Sequence, residues 1–164
     1  MNKCISKSNS IIIVLFLFLL FIGCEKKDKD MEKPIIDVSF PESFPKSCDT
    51  VYTGRSFHFI AKFSDNYALG SFSLDIHNNF DHHAHSTNIE TCQMDAIKTP
   101  VNPFTFIKSF EIPEGLKQYE ANVEINVPAN IDAGDYHFFI MLTDFTGWSS
   151  QKGMSIKILP SQER

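Results

Sequence analysis

The chain has 164 residues and a formal net charge of −5 at pH 7, with 15 Lys and Arg against 20 Asp and Glu. This acidic balance and the lack of a basic patch in the sequence argue against nucleic acid as a partner. The length is sufficient for one domain with a hydrophobic core of its own.

Residues 1–23 are predicted to be a signal peptide, in which two lysines precede an unbroken apolar run at positions 11–22. That run is too short to span a bilayer comfortably, and it is typical of the apolar region of a signal peptide. The following letters L-F-I-G-C, residues 20–24, resemble the lipobox of bacterial lipoproteins. The resemblance implies cleavage before Cys24 and its lipidation, which would anchor the protein to a membrane. A plain secreted protein is the alternative.

Residues 24–33 are nearly all charged and have no apolar face. Such a segment cannot bury enough surface to offset its ordering entropy, so it is predicted to be a flexible tether. A charged tether directly after a lipidated cysteine also resembles the export signals of some Gram-negative surface lipoproteins. We therefore expect a cell-envelope protein, lipid-anchored in an outer membrane and facing either the periplasm or the outside.

From residue 34 to residue 160, apolar and polar residues alternate in short stretches separated by Gly, Pro, Asn and Asp. Period-two alternation is typical of strands, and no segment shows a convincing helical period. The pattern predicts an all-β fold, an immunoglobulin-like antiparallel β-sandwich of about seven strands. In chain order the predicted strands, lettered A to G, cover residues 36–40, 57–63, 70–77, 104–112, 121–127, 135–142 and 154–158.

The sixth predicted strand begins with D-A-G-D-Y at residues 132–136. This matches the tyrosine corner of immunoglobulin-like domains, in which a tyrosine hydroxyl bonds to upstream backbone. Phe138 stands where antibody domains have a cysteine, so their inter-sheet disulfide is not expected here.

The most distinctive stretch is I-H-N-N-F-D-H-H-A-H at residues 76–85, which holds four of the chain's six histidines. Together with P-I-I at 34–36, F-S-D-N at 63–66 and G-D-Y-H at 134–137, it resembles a family of bacterial lipoproteins. That family carries an immunoglobulin-like domain of unknown function. The resemblance implies the fold and the location, and it supplies no reaction.

The histidines of this stretch are predicted to meet a fifth histidine from strand F. The inward residues of strands C and F alternate so that His77 and His137 both point to the outer face. Strands C and F are antiparallel neighbours in this fold, so the two histidines are expected to be close cross-strand partners. The loop that follows strand C leaves from the same end and carries His82, His83 and His85.

Three or four of these five imidazoles are predicted to bind one transition-metal ion, with Asp75 or Asp81 orienting the ligand rings. Imidazole ligation suits zinc, copper or nickel, and zinc or copper is the expected cofactor. The alternative is that the histidines are ordinary polar residues of a surface strand and a solvated loop. His58 belongs to the other sheet and is left out of the set.

Two cysteines remain once Cys4 is removed with the signal peptide and Cys24 is lipidated. Outside the cytoplasm an even pair indicates a disulfide, so Cys48 and Cys92 are predicted to be bonded. Cys92 as a thiolate metal ligand is the competing interpretation.

At the opposite end of the predicted sandwich, Asp65 and Asn66 in one turn face Asp144 in another. These residues would suit a calcium ion, but ordinary turn chemistry explains them equally well and is preferred.

The leading functional hypothesis is a membrane-anchored lipoprotein that binds a divalent transition metal and catalyses nothing, acting as a scavenger, chaperone or sensor. The second is an adhesion or assembly module that binds a protein or a glycan. The third is a metallohydrolase, which ranks lowest because the His cluster contains no Glu as general base. The letters G-x-S-x-G, H-E-x-x-H and C-x-x-C are also absent from the sequence.

Overall fold

The computed structural model of the protein describes residues 29–83 and 92–161. The predicted signal peptide, Cys24 and His85 lie outside these residues, so their predicted roles stay predictions. Within these two ranges there is no helix long and apolar enough to cross a membrane. The strands are β1 (Ile35–Asp37), β2 (Thr50–Tyr52), β3 (Ser56–Ser64), β4 (Leu69–Asn78), β5 (Phe106–Glu111), β6 (Gln118–Asn126), β7 (Gly134–Asp144) and β8 (Ser149–Leu159).

The strands form two sheets, with three strands in the order β1-β3-β6 and five in the order β2-β8-β7-β4-β5. All of the pairings are antiparallel except that of β2 with β8, which is parallel. The two sheets enclose one apolar core, to which Phe59, Ile76 and Phe138 contribute fully buried side chains. The prediction of an immunoglobulin-like β-sandwich is confirmed.

Each of the seven predicted stretches overlaps a strand, and the structure adds β2, which the sequence did not predict. Thr50–Tyr52 is only three residues long, too short for a period of two to be visible. The predicted position of the fourth strand is wrong. It was lettered D, and strand D of an immunoglobulin-like fold belongs to the sheet of strands B and E. It is instead β5, an edge strand paired with β4, and there Phe110 stacks on its register partner Phe72 with ring centroids 4.8 Å apart.

The tyrosine corner is present at the start of β7. Tyr136 is fully buried, and its hydroxyl donates a hydrogen bond to the carbonyl of Asp132 at 2.6 Å. The same oxygen accepts a hydrogen bond from the backbone N–H of Phe104 at 3.1 Å. Burial raises the pKa of the Tyr136 hydroxyl, so it stays protonated and can donate. The corner thus ties the chain before β5 to the end of the sandwich that carries the histidines.

The Cys48–Cys92 disulfide is present, with the two Cα atoms 5.4 Å apart. It joins the segment before β2 to the connection between β4 and β5, as predicted. The N–H of Cys48 also donates to the carbonyl of Ser155 in β8 at 2.7 Å. Because the disulfide occupies the sulfur of Cys92, the competing interpretation of Cys92 as a thiolate ligand is wrong.

Candidate functional site

His77 and His137 are direct register partners on the neighbouring antiparallel strands β4 and β7. The preceding pair in the ladder, Ile76 and Phe138, is fully buried in the core, so alternation turns both histidines to the outer face of the sheet. Their ring centroids lie 5.5 Å apart with the planes inclined by 56°. The predicted cross-strand convergence is therefore present.

His83 brings a third imidazole to this pair. Its ring stacks on that of His77, with centroids 5.6 Å apart and planes inclined by 11°. It meets the ring of His137 edge-on, with centroids 4.9 Å apart. We call His77, His83 and His137 the imidazole cluster.

The turn after β4 places His83 over the sheet. The N–H of Asn79 donates to the carbonyl of Asp135 at 2.8 Å, and His82 then takes a left-handed conformation with φ of 59°. Histidine is among the residues that adopt this conformation more readily than most. The chain is thereby redirected across the sheet within five residues of its last strand position.

His137 lies on the outer face as predicted, but it is not a surface residue, because only 3% of it is exposed. The returning turn covers it, and its Nε2 hydrogen-bonds to the carbonyl of His83 at 3.1 Å. Since a carbonyl only accepts, that nitrogen carries a proton, and in the neutral ring the lone pair is then on Nδ1. His77 and His83 remain partly exposed.

Both predicted orienting carboxylates contact rings of the imidazole cluster. Asp75 Oδ1 lies 2.9 Å from Nδ1 of His77, and Asp81 Oδ1 lies 2.5 Å from Nδ1 of His83. An ionised carboxylate only accepts, so each ring donates through Nδ1, and in the neutral ring the lone pair is then on Nε2. The bond from His83 also lowers the pKa of the Asp81 carboxyl, which keeps that carboxylate ionised. A carboxylate on the far nitrogen is the usual way in which a metal-binding histidine is oriented.

The other predicted histidines do not all join the cluster. The Nε2 of His82 hydrogen-bonds to the carbonyl of Asp95 at 2.9 Å, so this ring contacts the segment after the disulfide. His58 lies on β3 in the other sheet, where its Nδ1 contacts Asn122 at 2.6 Å, in agreement with its exclusion. The turn thus directs His83 and His82 to different partners.

Charged residues that the sequence reasoning did not single out hold the segment after Cys92 against this end of the sandwich. Lys157 Nζ lies 2.7 Å from Asp95 Oδ1 and 3.3 Å from Asp135 Oδ1. Asp135 also accepts the backbone N–H of Asp95 at 2.7 Å. The hydrogen bond to Asp95 raises the pKa of the Lys157 ammonium group. The alternation of charged and apolar residues in β7 and β8 predicts that Asp135 and Lys157 face outward. It does not indicate that they contact Asp95.

One of the solved structures that the sandwich matches is the GspB Siglec domain. It is 22% identical, with a TM-score of 0.43, and the match covers 82% of this chain. The chain spans 61% of the length of that structure. No curated protein matches the sequence.

A family model matches residues 22–159, which is most of the sequence and includes every strand and the whole imidazole cluster. Its members are grouped by a shared domain to which no activity has been assigned. The chain therefore belongs to the family described as Domain of unknown function (DUF4625).

Proposed function

We propose that this protein is a lipid-anchored lipoprotein of the cell envelope that binds one divalent transition-metal ion, zinc or copper, through the imidazole cluster. The observation that carries the proposal is the meeting of three imidazoles from two adjacent strands and one turn. Neutral imidazole is the commonest metal ligand in proteins and suits both metals.

The tautomers inferred from the hydrogen bonds name the ligand atoms. In their neutral forms the rings would offer Nε2 of His77, Nε2 of His83 and Nδ1 of His137 as ligand atoms, because the other nitrogen of each ring donates to an oxygen. Within the described residues the nitrogens of the three rings do not all lie within 4.8 Å of one another, so the turn that carries His83 would have to move closer to the sheet when an ion binds. With three nitrogen ligands, a tetrahedral ion would have a fourth coordination position for water or an exchangeable ligand. Such a site suits a protein that takes up and releases an ion as a scavenger, chaperone or sensor.

Binding without catalysis is the better-supported role. A zinc-dependent hydrolase needs a general base beside the metal-bound water. Asp75 and Asp81 are the nearby carboxylates, and each already accepts a hydrogen bond from a ring of the cluster and orients that ring. Their geometry supports a role in holding ligands.

The test is titration calorimetry of untagged, chelator-treated protein with zinc and copper. We expect one ion per chain, and we expect His137→Ala and His77→Ala each to weaken binding by at least about tenfold, because each removes one ligand. His58→Ala is the matched control, since it removes a histidine from the opposite sheet. If no ion binds at micromolar concentration, the metal proposal fails and the adhesion hypothesis gains support. If His137→Ala binds as tightly as the unmodified protein, the cluster is not the site.

A further inference from the structure

Three aspartates meet at the end of the sandwich opposite the imidazole cluster. Asp30 lies in the segment before β1, Asp65 in the turn between β3 and β4, and Asp144 at the end of β7. One carboxylate oxygen from each lies within 4.8 Å of the others. Sequence reasoning identified Asp65 and Asp144 but missed Asp30, because a charged segment gives no signal of where it packs.

Turn chemistry accounts for only one oxygen of each turn aspartate. Oδ2 of Asp65 accepts the N–H groups of Tyr67 at 2.7 Å and Ala68 at 2.8 Å. Oδ1 of Asp144 accepts the N–H groups of three successive residues of the β7–β8 turn, namely Thr146, Gly147 and Trp148. The second oxygen of each carboxylate has a different environment.

Those second oxygens, Oδ1 of Asp65 and Oδ2 of Asp144, are buried and have no hydrogen-bond donor among the residues that the structure describes. Asp144 as a whole is only 4% exposed. A buried carboxylate oxygen without a donor is costly, so nearly all such atoms in proteins have a partner. A hydrogen-bond donor or a cation is therefore expected beside these two oxygens.

The described residues supply no positive charge paired with the cluster. Asp30 is 8% exposed although it lies in the segment expected to be a solvated tether. Hydrogen bonds from the Glu32 N–H and the Asn66 amide lower the pKa of the Asp30 carboxyl, so it is ionised. None of the ion pairs within the described ranges involves Asp30, Asp65 or Asp144. Three like charges at this distance repel one another, and a cation between them would offset the repulsion.

We propose that Asp30, Asp65 and Asp144 bind one calcium ion, which links the segment before β1 to the β3–β4 turn and the β7–β8 turn. The donors are all carboxylate oxygens, which suit hard cations and not the metals expected at the imidazole cluster. Calcium is favoured over magnesium because it accepts an irregular shell of six to eight oxygens, whereas magnesium demands a near-ideal octahedron.

Trp148 provides a direct readout of this site. It is the chain's single tryptophan, and its indole N–H donates to the carbonyl of Asp30 at 3.2 Å. Calcium titrated into chelator-treated protein should therefore change the tryptophan fluorescence in a saturable way. We expect one ion per chain and half-saturation at or below about 1 mM, the range of calcium modules outside cells.

Three variants identify the ligands. Asp65→Asn and Asp144→Asn keep an oxygen that can accept the turn N–H groups. Both should weaken calcium binding by at least about tenfold, because calcium affinity depends on the number of negative charges among the ligands. Asp30→Asn should do the same, and it leaves the hydrogen bonds of Asp65 and Asp144 within their own turns in place. Asp37→Asn is the matched control, because Asp37 accepts the Ser39 N–H in a similar local contact.

The proposal is overturned by any of three results. One is a fluorescence signal that does not change up to about 5 mM calcium, and another is an equal response to magnesium. The third is unaltered binding by Asp144→Asn and Asp30→Asn. His137→Ala should retain the full calcium response while losing affinity for zinc, so failure at one site is distinguishable from failure at the other.

Discussion

His77 and His137 lie directly opposite each other on β4 and β7, with ring centroids 5.5 Å apart, although 60 positions separate them in the sequence. Their meeting is a consequence of strand alternation, because Ile76 and Phe138, the adjacent partners, fill the core. His83 completes the group from the turn that covers them. The pair thus lies within the sheet, and the third ring is part of a turn that it shares with Asp81.

The first prediction concerns the carboxylates that orient the cluster. Asp75→Asn should weaken zinc binding by about 10- to 100-fold, the usual effect of altering such a partner, because a neutral amide oxygen accepts the Nδ1–H of His77 more weakly than the carboxylate does and leaves the ring a weaker ligand. Calorimetry against the unmodified protein measures this. Asp37→Asn serves as the control, and equal affinity of Asp75→Asn would mean that Asp75 has no role in binding.

The second prediction concerns the disulfide. Cys48→Ser together with Cys92→Ser should lower the free energy of unfolding by about 4 kcal/mol, since the bond closes a loop of 44 residues. Urea unfolding with and without a reductant measures this difference. The reductant should destabilise the unmodified protein by a similar amount and leave the double variant unchanged.

The third prediction concerns the tyrosine corner. Tyr136→Phe should lower the free energy of unfolding by about 1–3 kcal/mol, because the carbonyl of Asp132 and the N–H of Phe104 lose their partner in a buried place. Tyr119→Phe is the control, since its ring is only partly buried. Similar unfolding midpoints for the two variants would contradict a structural role of the corner.

The fourth prediction is a dependence of stability on pH. The N–H groups of Val101 and Asn102 lower the pKa of the Asp132 carboxyl below its ordinary value of 3.8. A carboxyl whose pKa falls on folding stabilises the native state above its unfolded pKa, and this contribution is lost as pH falls through the lower, folded pKa. Asp132→Asn should therefore unfold with a weaker dependence on pH in the acidic range. Urea unfolding between about pH 2 and pH 6 compares the two proteins, and parallel curves would be the contrary result.

The fifth prediction concerns the membrane anchor. Metabolic labelling with a fatty-acid analogue should label the unmodified protein and miss Cys24→Ser, because the thiol of Cys24 is the proposed site of acylation. The labelled protein should also fractionate with the outer membrane. Equal labelling of both proteins would end the lipoprotein proposal.

Local patterns in the sequence were sufficient to predict the sandwich and the pairing of its two central histidines. Strand alternation is a local property, so Phe72, Leu74 and Ile76 indicate which side of β4 faces the core, and Tyr136 and Phe138 do the same for β7. The pairing of these strands then follows from the fold class. The disulfide between Cys48 and Cys92 was predictable because the other two cysteines had other predicted fates. The tyrosine corner was predictable from the residues that precede Tyr136.

Tertiary structure alone decided the rest, because the remaining contacts depend on how chain segments without regular structure pack. The turn after β4 folds back over the sheet, where it buries His137 and directs His83 and its neighbour His82 to different partners. The course of a turn cannot be predicted from the alternation of apolar and polar residues. β5 pairs with β4 at the edge of the larger sheet, where Phe110 packs on Phe72, and the alternation within β5 does not indicate which strand it joins. Asp30 reads as part of a solvated charged segment, yet it packs beside Asp65 and Asp144, since a residue's burial is determined by the surfaces that it meets after folding.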